Sequence, residues 1–326
     1  MKHVFVFDPE AFYNQQWKMD LILDTIQQFF RKQAKPDISI KTSRYRRNAM
    51  LIIQEEVEKA KPGDIVRIYA IGGEGILFDC LNAITHFPNT QLASVPYVGS
   101  SDFIKVFGAA NQEAFRDMPT LIQSKALPTD VIKWGDYYAL NSCCVGINAV
   151  IFKKPTSKNT GPRQRQARVI ARSRFSLLLI YIITLFNRQV ANQKYHITTD
   201  DTDYSGHYSL IHAANGPYHN GRMTGASGAA PNDGLMDIAL IKSSHPLWTL
   251  LAMRMYSRGK RPGNCIFVRA KKMTIESDSQ MWIQFDNEYI QDTKVSLDLV
   301  NQAVQIVAAK DSSYPSIQTL SERVSS

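Results

Sequence analysis

Along its first hundred residues the chain alternates short apolar runs with longer amphipathic stretches. Val4-Phe5-Val6-Phe7 has the length of a strand, and Met19, Ile22, Ile26, Phe29 and Phe30 then recur on one helical face. Ile38-Ser39-Ile40-Lys41-Thr42 predicts a second strand, and Met50, Ile53, Val57 and Ala60 predict a second helix that Lys61-Pro62-Gly63 ends. The run from Asp64 to Ile71 returns to strand. Repeated strand and helix units favour parallel strands covered by helices, so a layered α/β sheet is expected first. From Tyr208 onward the period becomes two: Met281, Ile283 and Phe285 alternate with Trp282, Gln284 and Asp286, and Val295, Leu297 and Leu299 with Ser296 and Asp298. That alternation predicts antiparallel sheet with one buried face. The expected fold is therefore α/β plus β, an N-terminal layered α/β domain with a parallel sheet and a C-terminal antiparallel β-sandwich domain, with a cleft between them. The change of pattern places the domains at 1–132 and 133–310, followed by a polar tail at 311–326.

A length of 326 residues with 44% hydrophobic and 21% charged positions suits two folded domains and argues against disorder. The net charge of +9 is unevenly distributed: Lys153 to Arg174 holds eight basic residues and no acid, and Leu177 to Ile183 follows as a strongly apolar run. A basic stretch without interleaved aromatics, leading into aliphatic residues, suits an anionic membrane surface better than a nucleic acid. The longest apolar run, Leu177 to Phe186, is interrupted by Thr184 and falls short of the ~20 residues of a membrane span. Asp8 and Pro9 interrupt the N-terminal apolar stretch, so no signal peptide is expected. The four cysteines form no C-x-x-C pair, which favours a reducing, cytoplasmic setting.

The segment Ile71-Gly72-Gly73-Glu74-Gly75-Ile76 lies between a strand and the helical pattern of Leu77, Leu81 and Ile84. Glycines there let backbone amides approach a phosphate at a helix N-terminus, although the same glycines also serve a plain tight turn. It is neither G-x-G-x-x-G nor a P-loop.

Several segments in chain order resemble the diacylglycerol kinase catalytic family, which includes sphingosine and ceramide kinases. Gly72 to Ile76 resembles its G-G-D-G-T turn, Asp8-Pro9-Glu10-Ala11-Phe12 its N-P-x-S/A-G turn, and Thr42 and Asn82 fall at its nucleotide-contacting threonine and helix asparagine. Pro96 to Phe103 resembles P-x-G-T-x-N-D-F, and Asp130, Asn141 and Gly146 follow the D…N…G stretch. Asn215-Gly216-Pro217, Ala230 to Asp237 and Asp286-Asn287-Glu288 resemble N-G-P, A-P-x-x-D-G-x-L-D and D-G-E. The likeness covers about residues 3 to 309. Glu74, Ile76, Asp79, Gly99, Ser101 and Asn287 depart from the family's Asp, Thr, Glu, Thr, Asn and Gly.

The resemblance implies an ATP-dependent lipid kinase using Mg²⁺, peripheral to the membrane, with a homodimer as a possible assembly. Its nucleotide site would comprise Asp8, Thr42, Gly72, Gly73, Glu74, Gly75, Asp79, Asn82, Gly99 and Ser100, with Glu74 and Asp79 orienting Mg²⁺. Glu288, with Asp286 beside it, would be the general base on the lipid hydroxyl, and Asp233 would bind a structural Mg²⁺ with the carbonyls of Ala230 and Leu235. Without the resemblance, Asp-Asn-Glu at 286–288 reads as a hairpin turn and Asn-Asp-Gly at 232–234 as a plain turn. The alternatives are a catalytically impaired regulatory relative that binds nucleotide or lipid, and a kinase for a soluble hydroxyl, as NAD kinases of similar architecture would suggest.

His207, His212 and His219 lack the helical spacing of a zinc motif and are expected as isolated packing or surface residues. Cys143-Cys144 reads as ordinary apolar packing. Ser227 lacks the last glycine of a nucleophile elbow because Ala229 stands there, which disfavours a serine hydrolase.

Overall fold

The computed structural model describes residues 1–32, 36–97, 101–152, 174–221, 223–309 and 312–314. Four parallel strands form the N-terminal sheet: β1 (Lys2–Phe7), β2 (Ile38–Thr42), β3 (Val66–Gly72) and β4 (Thr90–Pro96), in the order β2-β1-β3-β4. Between them run α1 (Gln16–Arg31), α2 (Asn48–Glu58) and α3 (Glu74–Ile84). The apolar periodicity decides what each buries: Ile22, Ile26 and Phe30 turn inward from α1, and Ala49 and Ile53 from α2. Phe5 and Phe7 are fully enclosed, which at ~25 cal/mol per Å² contributes about 2–3 kcal/mol each. Phe5 stacks on Tyr69 of the next strand with ring centroids 4.3 Å apart.

After α4 (Met118–Gln123), the strands β5 (Ala126–Trp134), β6 (Tyr137–Ala139) and β7 (Ser142–Gly146) lead into the second half. There α5 (Ile147–Phe152), α6 (Arg174–Phe186) and α7 (Arg188–Ala191) precede β8 (Gln193–Thr199), β9 (Thr202–Asp203), β10 (Gly206–Ala214) and β11 (Met236–Lys242). The chain continues through α8 (Pro246–Tyr256), β12 (Cys265–Ala270), β13 (Lys272–Phe285) and β14 (Glu288–Val307). Strands β12-β11-β10-β7-β13-β14 are antiparallel neighbours. Their alternation sends Cys143, Val145, Ile211, Ala213, Met281 and Ile283 into one core, while Leu210, Ala239 and Ile241 face a second core roofed by Ile151, Leu185, Ala252 and Met253. The period-two reading of β13 holds for Met281, Ile283 and Phe285, but Gln284 is also buried because its amide bonds the side chain of Asn220 and the carbonyl of Asp286.

The long strand β14 joins the two halves. Its first part pairs with β13 and its second with β5, and Ile306 lies beside Leu92 of β4. Val304, Ile306, Val307, Ala308 and Ala309 thereby complete the N-terminal core. The apolar run at 177–183 lies within α6, and among the described residues no helix is long and apolar enough to cross a membrane. The basic stretch ahead of it, Lys153 to Ser173, lies outside the described residues.

Candidate functional site

Parallel register brings the ends of the N-terminal strands together. Phe7 lies opposite Thr42 on one side and Ile71 on the other, and Gly72 lies opposite Pro96, so Asp8, Thr42, Gly72 and Tyr97 share one edge of the sheet. The carboxyl ends of parallel strands are where open α/β sheets take ligands. Asp8 caps the short helical turn Pro9–Phe12 by accepting from the Glu10 amide at 3.0 Å. Gly72 is required by this crowding, because a Cβ there would stand 2.7 Å from the Asp8 Cβ. Gly73 is the N-cap of α3, and since no side chain caps it, the first amides of the helix remain for another acceptor.

Glu74 opens α3 and accepts from the Asp102 amide at 2.9 Å. Burial, followed by the nearby carboxylates of Asp102 and Asp286, pushes its carboxyl up to about 7. Asp102 accepts from the Gly221 amide at 3.0 Å and pairs with Lys105 at 2.7 Å, tying the first half to the segment after β10 in the second. The 286–288 hairpin approaches from the second half, where a Cβ on Gly75 would lie 3.5 Å from Asn287 Nδ2. Asp286 has φ 47° and accepts from the amides of Leu140, Asn141 and Ser142 at 2.7, 3.0 and 2.9 Å. Burial raises it to about 6 even against those three donors. Glu74, Asp102 and Asp286 thus collect at the seam between the halves.

Glu288, the first residue of β14, meets two arginines. Its Oε2 pairs with Arg46, and Arg47 Nη2 lies 3.6 Å from the same oxygen. Arg47 also holds Asp79, donating its amide to Oδ2 at 2.8 Å and Nη1 to Oδ1 at 2.7 Å, and its guanidinium lies over the rings of Phe78 and Tyr137. One side chain therefore links α3 to the start of β14. The buried Asn82 side chain clasps the backbone of Tyr138, donating to its carbonyl at 3.0 Å and accepting from its amide at 2.7 Å. Its amide is thus committed to a contact between α3 and β6. Gly99 and Ser100 lie outside the described residues.

Elsewhere, Asp233 pairs with Arg269 and accepts from the Leu235 amide at 3.1 Å. The guanidinium already supplies positive charge to this carboxylate, so the Asp233, Ala230 and Leu235 set does not fit a bound Mg²⁺ as it stands. Neighbouring Asp130 accepts from Gly234 at 2.8 Å and Gln302 at 2.7 Å, which fixes the same turn without a cation.

Arg46, Arg47 and Asp102 carry much of this geometry without belonging to the site that the motifs imply. A signal existed in Arg44, Arg46 and Arg47 directly after the second strand, and in Asp102 within the Pro96 to Phe103 segment. The histidine expectation needs correction. His207 is isolated on the surface, bonding the Asn192 carbonyl, but His212 and His219 have ring centroids 4.2 Å apart and lie with Cys144. Alternation along β7 puts Cys143 and Cys144 on opposite faces, so only Cys143 joins the main β core.

Residues 164–308 match the family model described as the YegS C-terminal NAD kinase beta sandwich-like domain. Curated proteins of Staphylococcus aureus strains MRSA252 and Newman, both with names beginning "Putative lipid kinase", are 24% identical over 282 residues, covering 84% of this chain and 87% of theirs. A solved structure titled as a putative diacylglycerol kinase from Bacillus anthracis str. Sterne superposes with a TM-score of 0.71 at 20% identity, covering 96% of each chain. A further structure, titled as a diacylglycerol kinase of that organism, gives 0.68 at 19% identity, covering 96% of this chain and 98% of that one. The ordered motifs, the matched C-terminal domain and the shared fold agree in supporting a diacylglycerol kinase-like lipid kinase family.

Proposed function

We propose that the protein transfers the γ-phosphate of ATP to a lipid hydroxyl, such as that of diacylglycerol. The observation that carries this reading is the apposition of the uncapped Gly73–Glu74 helix start and the 286–288 hairpin across the seam between the halves. The amides at 72–75 would receive phosphate oxygens. The clustered carboxylates of Glu74, Asp102 and Asp286, two of them raised chiefly by burial and further by neighbouring carboxylates, have the donor chemistry for Mg²⁺, which when bound would neutralise phosphate charge. Both arginines address Oε2 of Glu288, so Oε1 would take the proton of the attacking hydroxyl.

Membrane proximity would come from the basic stretch together with α6 and α8, where Ile183, Phe186, Leu247 and Trp248 are exposed. Cytoplasmic location with peripheral membrane attachment belongs to the same proposal. A second reading, a regulatory relative that binds without turnover, is favoured by the arginines held on Glu288 and by the buried Ile76 where the family has Thr. Radiolabel transfer from γ-labelled ATP to diacylglycerol, ceramide, sphingoid and crude lipids separates the two. Labelled phospholipid supports the kinase, whereas Mg-ATP binding with no transfer to any lipid supports the regulator.

A further inference from the structure

The second domain buries a set of donors that neither the fold nor the proposed reaction uses. Cys144 on β7 stands directly opposite His212 on β10, and His219 returns to them from the loop after β10. The Cys144 thiol and one nitrogen of each ring lie within 4.8 Å of one another, and all three residues are buried at 3% exposure or less. His212 Nδ1 is bonded to the Tyr256 hydroxyl at 2.5 Å, which leaves Nε2 pointing elsewhere. Among the described residues, His212 Nε2 and both ring nitrogens of His219 have no hydrogen-bond partner. Three orphaned nitrogens in one enclosed place are costly, since a buried polar atom without a partner loses roughly 1–3 kcal/mol.

We propose that Cys144, His212 and His219 form a three-ligand site for zinc(II). Two imidazole nitrogens and a thiolate are donors zinc prefers, and three protein ligands leave a fourth position for water or another small ligand. Zinc bonds of ~2.0–2.3 Å require the three donors to draw together slightly, which side-chain rotation supplies. Binding converts the Cys144 thiol to thiolate and releases its proton to solvent. Tyr256 is a positioning residue, because its hydroxyl holds His212 Nδ1 and so presents Nε2 to the ion. Gly225 makes room for that ring, since a Cβ there would collide with the Tyr256 side chain. The ion would also brace the loop that reaches Asp102 through Gly221, because the amides and carbonyls of His219 and Met223 bond reciprocally around its tip.

The test uses the full chain stripped with chelator and reloaded with zinc or cobalt(II). The expected result is one equivalent of tightly held zinc, and for cobalt a thiolate charge-transfer band with tetrahedral visible absorption. Cys144→Ser should abolish the charge-transfer band, His219→Gln should abolish the tetrahedral spectrum, and Tyr256→Phe should weaken affinity about 10–100-fold. Glu74→Gln should leave the band intact, which separates this site from the carboxylates at the seam and from the fate of the kinase proposal. Cobalt bound without the thiolate band overturns the assignment. So does zinc affinity in folded Cys144→Ser or His219→Gln equal to that of the parent chain, as would follow if a buried water bridged the rings.

Discussion

Glu288 and Glu74 are both carboxylates at the seam, yet their surroundings predict different failures. Glu288→Gln removes the proposed base while keeping a side chain of the same size between Arg46 and Arg47. Turnover should fall by ~10²–10⁴ with nucleotide affinity nearly unchanged, as measured by single-turnover label transfer beside calorimetric ATP titration. Glu74→Gln should weaken Mg-ATP binding together with turnover, because it removes one of three clustered carboxylates. Individual residues were only partly legible from sequence. Chain order pointed to Gly72 through Gly75, since a glycine turn between strand and helix is a local signal. The Arg46–Glu288 pair spans 242 positions, and local pattern contains nothing about it. His212 and His219 likewise read as isolated, because their meeting depends on a loop doubling back and on β7 pairing beside β10.

At the scale of elements, two contacts decide how the N-terminal layers close. Gly72→Ala would drive a methyl group into Asp8, where β3 and the Pro9–Phe12 turn come together. Relieving that clash shifts backbone, so a loss of ~1–3 kcal/mol is expected in urea denaturation, together with weaker nucleotide binding. Glu56 of α2 is buried against Lys2 of β1 at 2.8 Å and Lys41 of β2 at 3.1 Å. Burial opposes ionisation, but the two lysines prevail and bring the carboxyl down from 4.5 to about 2. Because the folded value is the lower one, this stabilisation is present above pH 4.5 and is lost as pH falls toward 2. Glu56→Gln should cost ~3 kcal/mol at neutral pH, where Lys2 would be left without its charge partner, and should flatten the acid limb of a stability–pH curve. The strands and helices up to β4 were legible because each repeats its own apolar period. The run at 177–183 carries no such period, being apolar throughout, so periodicity alone does not assign it to α6.

Across the whole molecule, Asp130 and β14 bind the halves into one unit. Asp130 is fully buried and accepts from Gly234 in the second half and Gln302 in β14, while its own amide donates to Pro231 at 2.8 Å. Asp130→Ala strands two amides and should destabilise by ~2–4 kcal/mol, with far-UV circular dichroism and tryptophan fluorescence still shifting together. The proposed membrane attachment would also be a property of the whole. Each basic side chain near an anionic surface adds ~1 kcal/mol before screening, so changing Arg163, Arg165, Arg168 and Arg172 to Gln should sharply reduce flotation with anionic vesicles at moderate salt. Unchanged flotation would rule the basic stretch out as the anchor.

The course of β14 also bears on how the protein is made. Val304 and Ile306 to Ala309 sit in the core that β1 to β4 build, so the N-terminal half lacks part of its interior until those residues have been translated. During that interval β4 has no β14 beside it, and the apolar positions that Val304, Ile306 and Val307 will cover have no cover. Domains that close within their own stretch of chain can fold while synthesis continues, but this half must wait for a strand about two hundred residues beyond β4, since Ile306 pairs with Leu92. A nonsense mutation anywhere before residue 304 should therefore do more than remove a C-terminal strand. It should leave the N-terminal half itself prone to aggregation, and insoluble even when β1 to β4 are all present.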